Sequence, residues 1–116
     1  MPTYTLSNVG ATIRAEIVRG DDYAFIVSQD DDNGPVNIAG RTYVAQLRDV
    51  SGTLIATGTC TIVSAALGKL SVAFSAAQTA ALVAGYEYAF AVRETASGVK
   101  TELVRADVVV LEPIVS

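Results

Sequence analysis

Four short groups of residues have types and spacing that could do chemistry. Asp30-Asp31-Asp32-Asn33 gathers three carboxylates and an amide, and a calcium ion takes about six to eight oxygens of that kind. The EF-hand spacing D-x-[DN]-x-[DN]-G with a distant Glu is not met. Three adjacent like charges on a loop stay solvated, so Asp30 to Asp32 read as a hydrated turn, with a calcium site as the alternative. Arg19-Gly20-Asp21 spells the tripeptide that integrins read; a turn needs Gly and Asp on its own account, and a turn is the simpler reading. Cys60, the only cysteine, cannot form an internal disulfide or a CxxC pair. It lies in register with Leu54 and Ile62, where a free thiol acts as a small hydrophobe rather than a nucleophile. Tyr86, Tyr88 and Phe90 share one face of an alternating run, a stripe that could stack sugars or bases. Glu87 beside them and the scarcity of cations favour the core instead.

The missing residue types exclude more chemistry than the present ones suggest. There is no histidine, the side chain that titrates nearest neutrality and the commonest metal ligand. Its absence removes the Ser-His-Asp triad, the Cys-His pair, imidazole-bound zinc and the HExxH helix. Twelve acidic residues leave a carboxylate pair of the glycosidase kind, but a sandwich of 116 residues rarely offers the deep cleft such a pair needs. No enzyme, cofactor or metal is expected. Half the residues are hydrophobic (51%), 17% are charged and the net charge is -4, which excludes intrinsic disorder. The acidic balance argues against a nucleic-acid partner, which would need a basic face. Met1-Pro2-Thr3-Tyr4-Thr5 lacks the basic start and apolar run of a signal peptide. No stretch approaches an uncharged membrane span, since Glu87 and Arg93 interrupt the richest region. The expectation is a soluble protein made in a reducing cytoplasm, with no membrane partner.

The elements that must carry these residues are strands. Period-two alternation recurs along the chain. Tyr43, Ala45 and Leu47 oppose Thr42, Val44, Gln46 and Arg48; Leu54, Ala56, Gly58, Cys60 and Ile62 oppose Ile55, Thr57, Thr59, Thr61 and Val63. Leu70, Val72 and Phe74 oppose Lys69, Ser71 and Ala73; Tyr86, Tyr88, Phe90 and Val92 oppose Glu87, Ala89, Ala91 and Arg93. Further runs cover 12–19 and 23–29, and 101–111 ends in Val108-Val109-Val110, apolar on both faces. Each run reads as a strand with a wet face and a dry one. Gly20-Asp21-Asp22, Asp30 to Pro35, Ser51-Gly52 and Ser97-Gly98 supply the turns.

Only Ser75 to Val83 breaks the period. Ser75 with Gln78 makes a capping box, the alanines favour helix, and Gly85 can end it. This predicts about two helical turns bridging the sheets, with Leu82 pinned inward. The expected fold is all-β: a single β-sandwich of seven or eight antiparallel strands, with one short helical turn near residues 75–83. Residues 1–10 read as an N-terminal arm and 11–116 as the domain. The expected core is Ile17, Phe25, Tyr43, Leu47, Leu54, Ile62, Leu70, Val72, Phe74, Leu82, Tyr88, Phe90, Val92 and Val108. Size scaling gives a folded surface of roughly 6,000 Å². With a mean hydropathy of +0.41, too few polar residues remain to cover it, and exposed apolar surface marks assembly contacts.

The order of these signals resembles small structural domains of tailed bacteriophages, in particular the immunoglobulin-like N-terminal domain of upper baseplate and tail proteins. The matching pieces are Arg19-Gly20-Asp21-Asp22 before an aromatic strand, Asp32-Asn33-Gly34-Pro35-Val36-Asn37-Ile38-Ala39-Gly40, Ala45-Gln46-Leu47-Arg48 and Ser51-Gly52-Thr53-Leu54. The most distinctive runs from Leu70 through Phe74-Ser75-Ala76-Ala77-Gln78 to Ala84-Gly85-Tyr86-Glu87-Tyr88, and Ser97-Gly98 with Thr101-Glu102-Leu103-Val104 completes the set. Ala89-Phe90 and Arg105-Ala106-Asp107 depart from that pattern, which often has Asp and Gly there. The resemblance implies that the β-sandwich is immunoglobulin-like and that the chain is a non-enzymatic virion protein, made in the host bacterial cytoplasm. It would act as a multi-copy tail, baseplate or neck adaptor whose partners are itself and other phage structural proteins. A head-decoration or head-fibre base protein is the alternative within that class, and a carbohydrate-binding surface module the alternative outside it. The expected assembly contacts are Met1 to Gly10, the Asp30 to Pro35 loop and Leu111 to Ser116.

Overall fold

Sixteen valines and eleven threonines favour pleated, half-buried backbone, and the chain folds accordingly. The computed structural model describes residues 3–6 and 11–114, with side chains described from residue 13 onward. Its elements are β1 (Thr3–Leu6), β2 (Ala11–Val18), β3 (Tyr23–Asp31), β4 (Gly34–Pro35), β5 (Thr42–Asp49), β6 (Leu54–Ser64), β7 (Lys69–Phe74), α1 (Ala76–Ala80), β8 (Tyr88–Ala96) and β9 (Val99–Leu111). One hydrogen-bonded path runs β1-β3-β7-β6-β5-β8-β9-β2, with β4 paired to β3. It curls over a single core to give the all-β architecture that the alternation predicts. Six pairings are antiparallel; β1 with β3 and β2 with β9 are parallel.

The fold turns its corner on β6. Ala56 to Gly58 pair with β5, whereas Thr59 to Ser64 pair with β7, so one strand serves both layers. Gly58 stands at the crossing. A Cβ there would lie 3.1 Å from the Phe74 ring and 3.2 Å from the Ala45 Cβ, so any side chain would push its neighbours back by a few tenths of an ångström.

The inward faces meet around four rings. Phe25 and Phe90 stack at 5.2 Å, Phe74 lies 5.7 Å from Phe90, and Tyr23 lies 5.9 Å from Phe25. Most of the expected core is buried, and Tyr43 packs against it half-buried. Leu54 and Ile62 correct the expectation, being 44% and 38% exposed. Leu47 pairs with Ala56 but Arg48 pairs with Leu54, so Ile55 is an extra, bulged residue. The bulge flips Leu54 onto the solvent face beside Arg48 and brings Ile55 against the core. Ile62 lies where β6 has left β5 and has β7 as its one neighbour, at the rim of the core. A second bulge, between Val92 and Arg93, leaves Leu103 without a partner on β8 and lets Leu103 and Val104 both point inward.

Helix α1 carries the predicted capping box. The Ser75 Oγ accepts from the Gln78 N–H at 3.2 Å, and the Gln78 Oε1 accepts from the Ser75 N–H at 2.9 Å. The helix is shorter than two turns and is capped at Ala81, before Gly85. The Leu82 N–H bonds to the Thr79 carbonyl, and Leu82 is fully buried as expected.

Candidate binding surface

A charged group inside a small sandwich is the first place to look for chemistry. Glu94 faces inward on β8, directly opposite Tyr43 on β5, and is 6% exposed. Its Oε2 accepts from the Tyr43 hydroxyl at 2.8 Å and from the Gln29 Nε2 at 3.1 Å. The Arg41 Nη1 donates to Oε1 at 3.2 Å and to Oε2 at 3.3 Å. Gln29 is held in turn, its N–H bonded to the Gly68 carbonyl and its carbonyl to the Val36 N–H. At Gly68, with φ at +65°, a Cβ would sit 2.6 Å from both of the carbonyl oxygens of Gln29 and Val36, so the turn closes only on glycine. Burial first, then the hydrogen bond and charge of Glu94, push the Tyr43 phenol far above its ordinary range. Both carboxylate oxygens are occupied and the phenol stays protonated. The arrangement is a satisfied polar knot joining β3, β5 and β8, not a base facing a substrate.

The sequence motifs resolve into structural parts. Arg19 donates from Nε to the Leu82 carbonyl at 2.8 Å and pairs with Glu112 at 3.7 Å. The Thr79 hydroxyl accepts from the Gly20 N–H at 3.1 Å and donates to the Asp21 carbonyl at 2.7 Å. The Ala76 N–H donates to Asp22 at 2.7 Å. Arg19-Gly20-Asp21 is therefore a turn latched onto α1, with its arginine engaged. In the acidic loop Asp31 pairs with Gly34 across a tight tip, and its carboxylate accepts from the Asn33 N–H at 2.8 Å. Among the described residues no group of three or more His, Cys, Asp and Glu is placed to hold a metal ion. Cys60 is half-buried, and desolvation raises its thiol pKa, which disfavours the thiolate.

The aromatic stripe is split by the fold. Tyr88 and Phe90 are buried, and the Tyr88 hydroxyl accepts from the Val83 N–H at 3.0 Å. Tyr86 precedes β8 in a turn closed by its own N–H to the Val83 carbonyl and is 66% exposed. The three rings do not form one platform.

The outer face of β5, β8 and β9 is a different matter. Strand pairing aligns Gln46, Ala91 and Arg105 in one row and Arg48, Ala89 and the exposed Asp107 in the next. The two alanines leave a shallow floor between longer side chains, and the resulting concavity measures about 670 Å³. Four of the chain's eight cationic residues line it: Arg48, Arg93, Lys100 and Arg105. Arg105 pairs with Glu102 at 3.3 Å. Arg48 is held by neutral oxygens, the Gly52 carbonyl at 2.8 Å and the Gln46 Oε1 at 2.9 Å, and makes no ion pair among the described residues. Arg93 and Lys100 have no ion pair among the described residues. Asp49, at the rim, turns its carboxylate to the Ser51 hydroxyl and to the N–H groups of Ser51 and Thr53. This basic hollow on an acidic protein was not foreseen; the clue was the outward parity of Arg48 and Arg93.

No family model matches the chain, and no curated protein matches it. Among solved structures, it is similar to the N-terminal domain of phage TP901-1 ORF48, with a TM-score of 0.59 and 17% identity over 95% of this chain and 98% of that one. The ZIG-8 IG1 homodimer aligns at a TM-score of 0.43 and 13% identity, over 91% of this chain and 84% of that one. Over that 95% of its length the chain has the fold of a phage domain, in keeping with the resemblance carried by its turns and helix.

Proposed function

We propose that this domain is a non-enzymatic structural component of a bacteriophage virion: a tail, baseplate or neck adaptor, docked in many copies on itself and on other virion proteins. The observation that carries the reading is the fold shared with a phage N-terminal domain over nearly the full length of both chains. The site chemistry supports it. The buried carboxylate is saturated by Tyr43, Gln29 and Arg41, and the lone thiol is half-buried with a raised pKa. Large apolar side chains stand in solvent at the hairpins, among them Val50 at 81%, Val63 at 57% and Val99 at 64%, surface that association would cover.

Purified particles test this directly. Quantitative mass spectrometry is expected to find the chain in intact virions at a small multiple fixed by the tail's rotational symmetry. A copy number that scales with the area of the head would favour the decoration alternative. Absence from particles would refute the proposal. Glycan binding abolished by Tyr86→Ala would favour the carbohydrate-binding alternative.

A further inference from the structure

We propose that the basic hollow on the outer face of β5, β8 and β9 receives the acidic β3–β4 tip of a second copy of this chain, joining copies head to tail. This deepens the virion reading and rests on it for its biological setting. The argument is one of charge placement. The molecule is acidic overall, yet four of its eight cations line this hollow against two acids, Asp49 and Glu102, and Arg48, Arg93 and Lys100 there have no ion pair among the described residues. The complementary charge sits on the other layer. Asp31 and Asp32 are exposed at a tip that closes on the Asp31–Gly34 pair, leaving Asp32 and Asn33 alone at its apex.

The tip is two residues long beyond its closing pair, and the hollow has Ala89 and Ala91 among its lining residues. The two patches occupy different layers and are unlike each other. Each contact therefore joins the hollow of one copy to the tip of another, and where it is not reciprocated within a pair it repeats into a ring or a row. Several cations facing two carboxylates through solvent make a weak, salt-screened contact, suited to assembly at high local concentration.

Sedimentation velocity on the full chain tests the proposal by charge exchange. At low ionic strength the wild type is expected to associate with rising concentration, and about 0.5 M salt to weaken association about tenfold or more. Arg93→Glu with Lys100→Glu abolishes association, and so does Asp31→Lys with Asp32→Lys, each variant keeping the wild-type circular-dichroism spectrum. An equimolar mixture of the two variants associates again, because each then offers the charge the other lacks. A wild type that stays monomeric at low salt, reversals that leave association unchanged, or a mixture that stays monomeric would each overturn the proposal. A chain that is monomeric yet incorporated into particles defeats this contact alone. A chain that associates by charge exchange but is absent from particles defeats the virion reading alone.

Discussion

Glu94 is the residue on which the interior polar chemistry turns. Removing it leaves Arg41, Tyr43 and Gln29 facing an apolar gap, and breaking a buried, hydrogen-bonded ion pair on one side is strongly destabilising. Because Arg41 is partly exposed, Glu94→Ala is expected to cost about 3 kcal/mol in urea unfolding, near the low end for such losses; a cost near zero would contradict the reading. Tyr43 adds a signature in alkali. Its folded-state pKa is raised, so the stabilisation is complete below the ordinary tyrosine value of about 10 and falls as pH rises toward the folded value. Tyr43→Phe should flatten that alkaline decline in stability. Asp49 behaves in the opposite sense. The Ser51 hydroxyl first, then the Thr53 N–H, hold its pKa below 3.8, so its contribution is present above the ordinary aspartate value and is lost as pH falls through the depressed one. An NMR titration of the Asp49 carboxyl should therefore give a midpoint below 3.8.

At the scale of elements, the corner on β6 and the latch on α1 decide whether two layers become one body. Gly58→Val would force a branched side chain against Phe74 and Ala45, and such overpacking costs about 1–3 kcal/mol; thermal unfolding should show the loss. Thr79 is fully buried and serves both Gly20 and Asp21. Thr79→Val keeps the shape but strips the Gly20 N–H of its acceptor, and should cost about 1–3 kcal/mol with faster amide exchange at Gly20. Strand positions were legible because alternation survives in single sequences: Leu70, Val72 and Phe74 lie where period two puts them. The bulges at Ile55 and Leu103 were not, because an extra residue is defined only against its partner strand. Glu94 was half legible, as an acid continuing the inward parity of Tyr88, Phe90 and Val92. The basic hollow was hidden because its cations come from three strands and only pairing brings them together.

At the scale of the whole molecule, the interior is saturated: nothing in the Glu94 network is left unsatisfied, so the proposed contacts fall to the hairpins and the outer sheet face. Electron microscopy of intact particles is the most direct measurement, because it shows place, copy number and neighbours together. If the domain is a virion component as proposed, its density is expected at symmetry-related positions of the tail, baseplate or neck, in contact with other virion proteins. Particles complete and infectious without any such density would contradict that proposal.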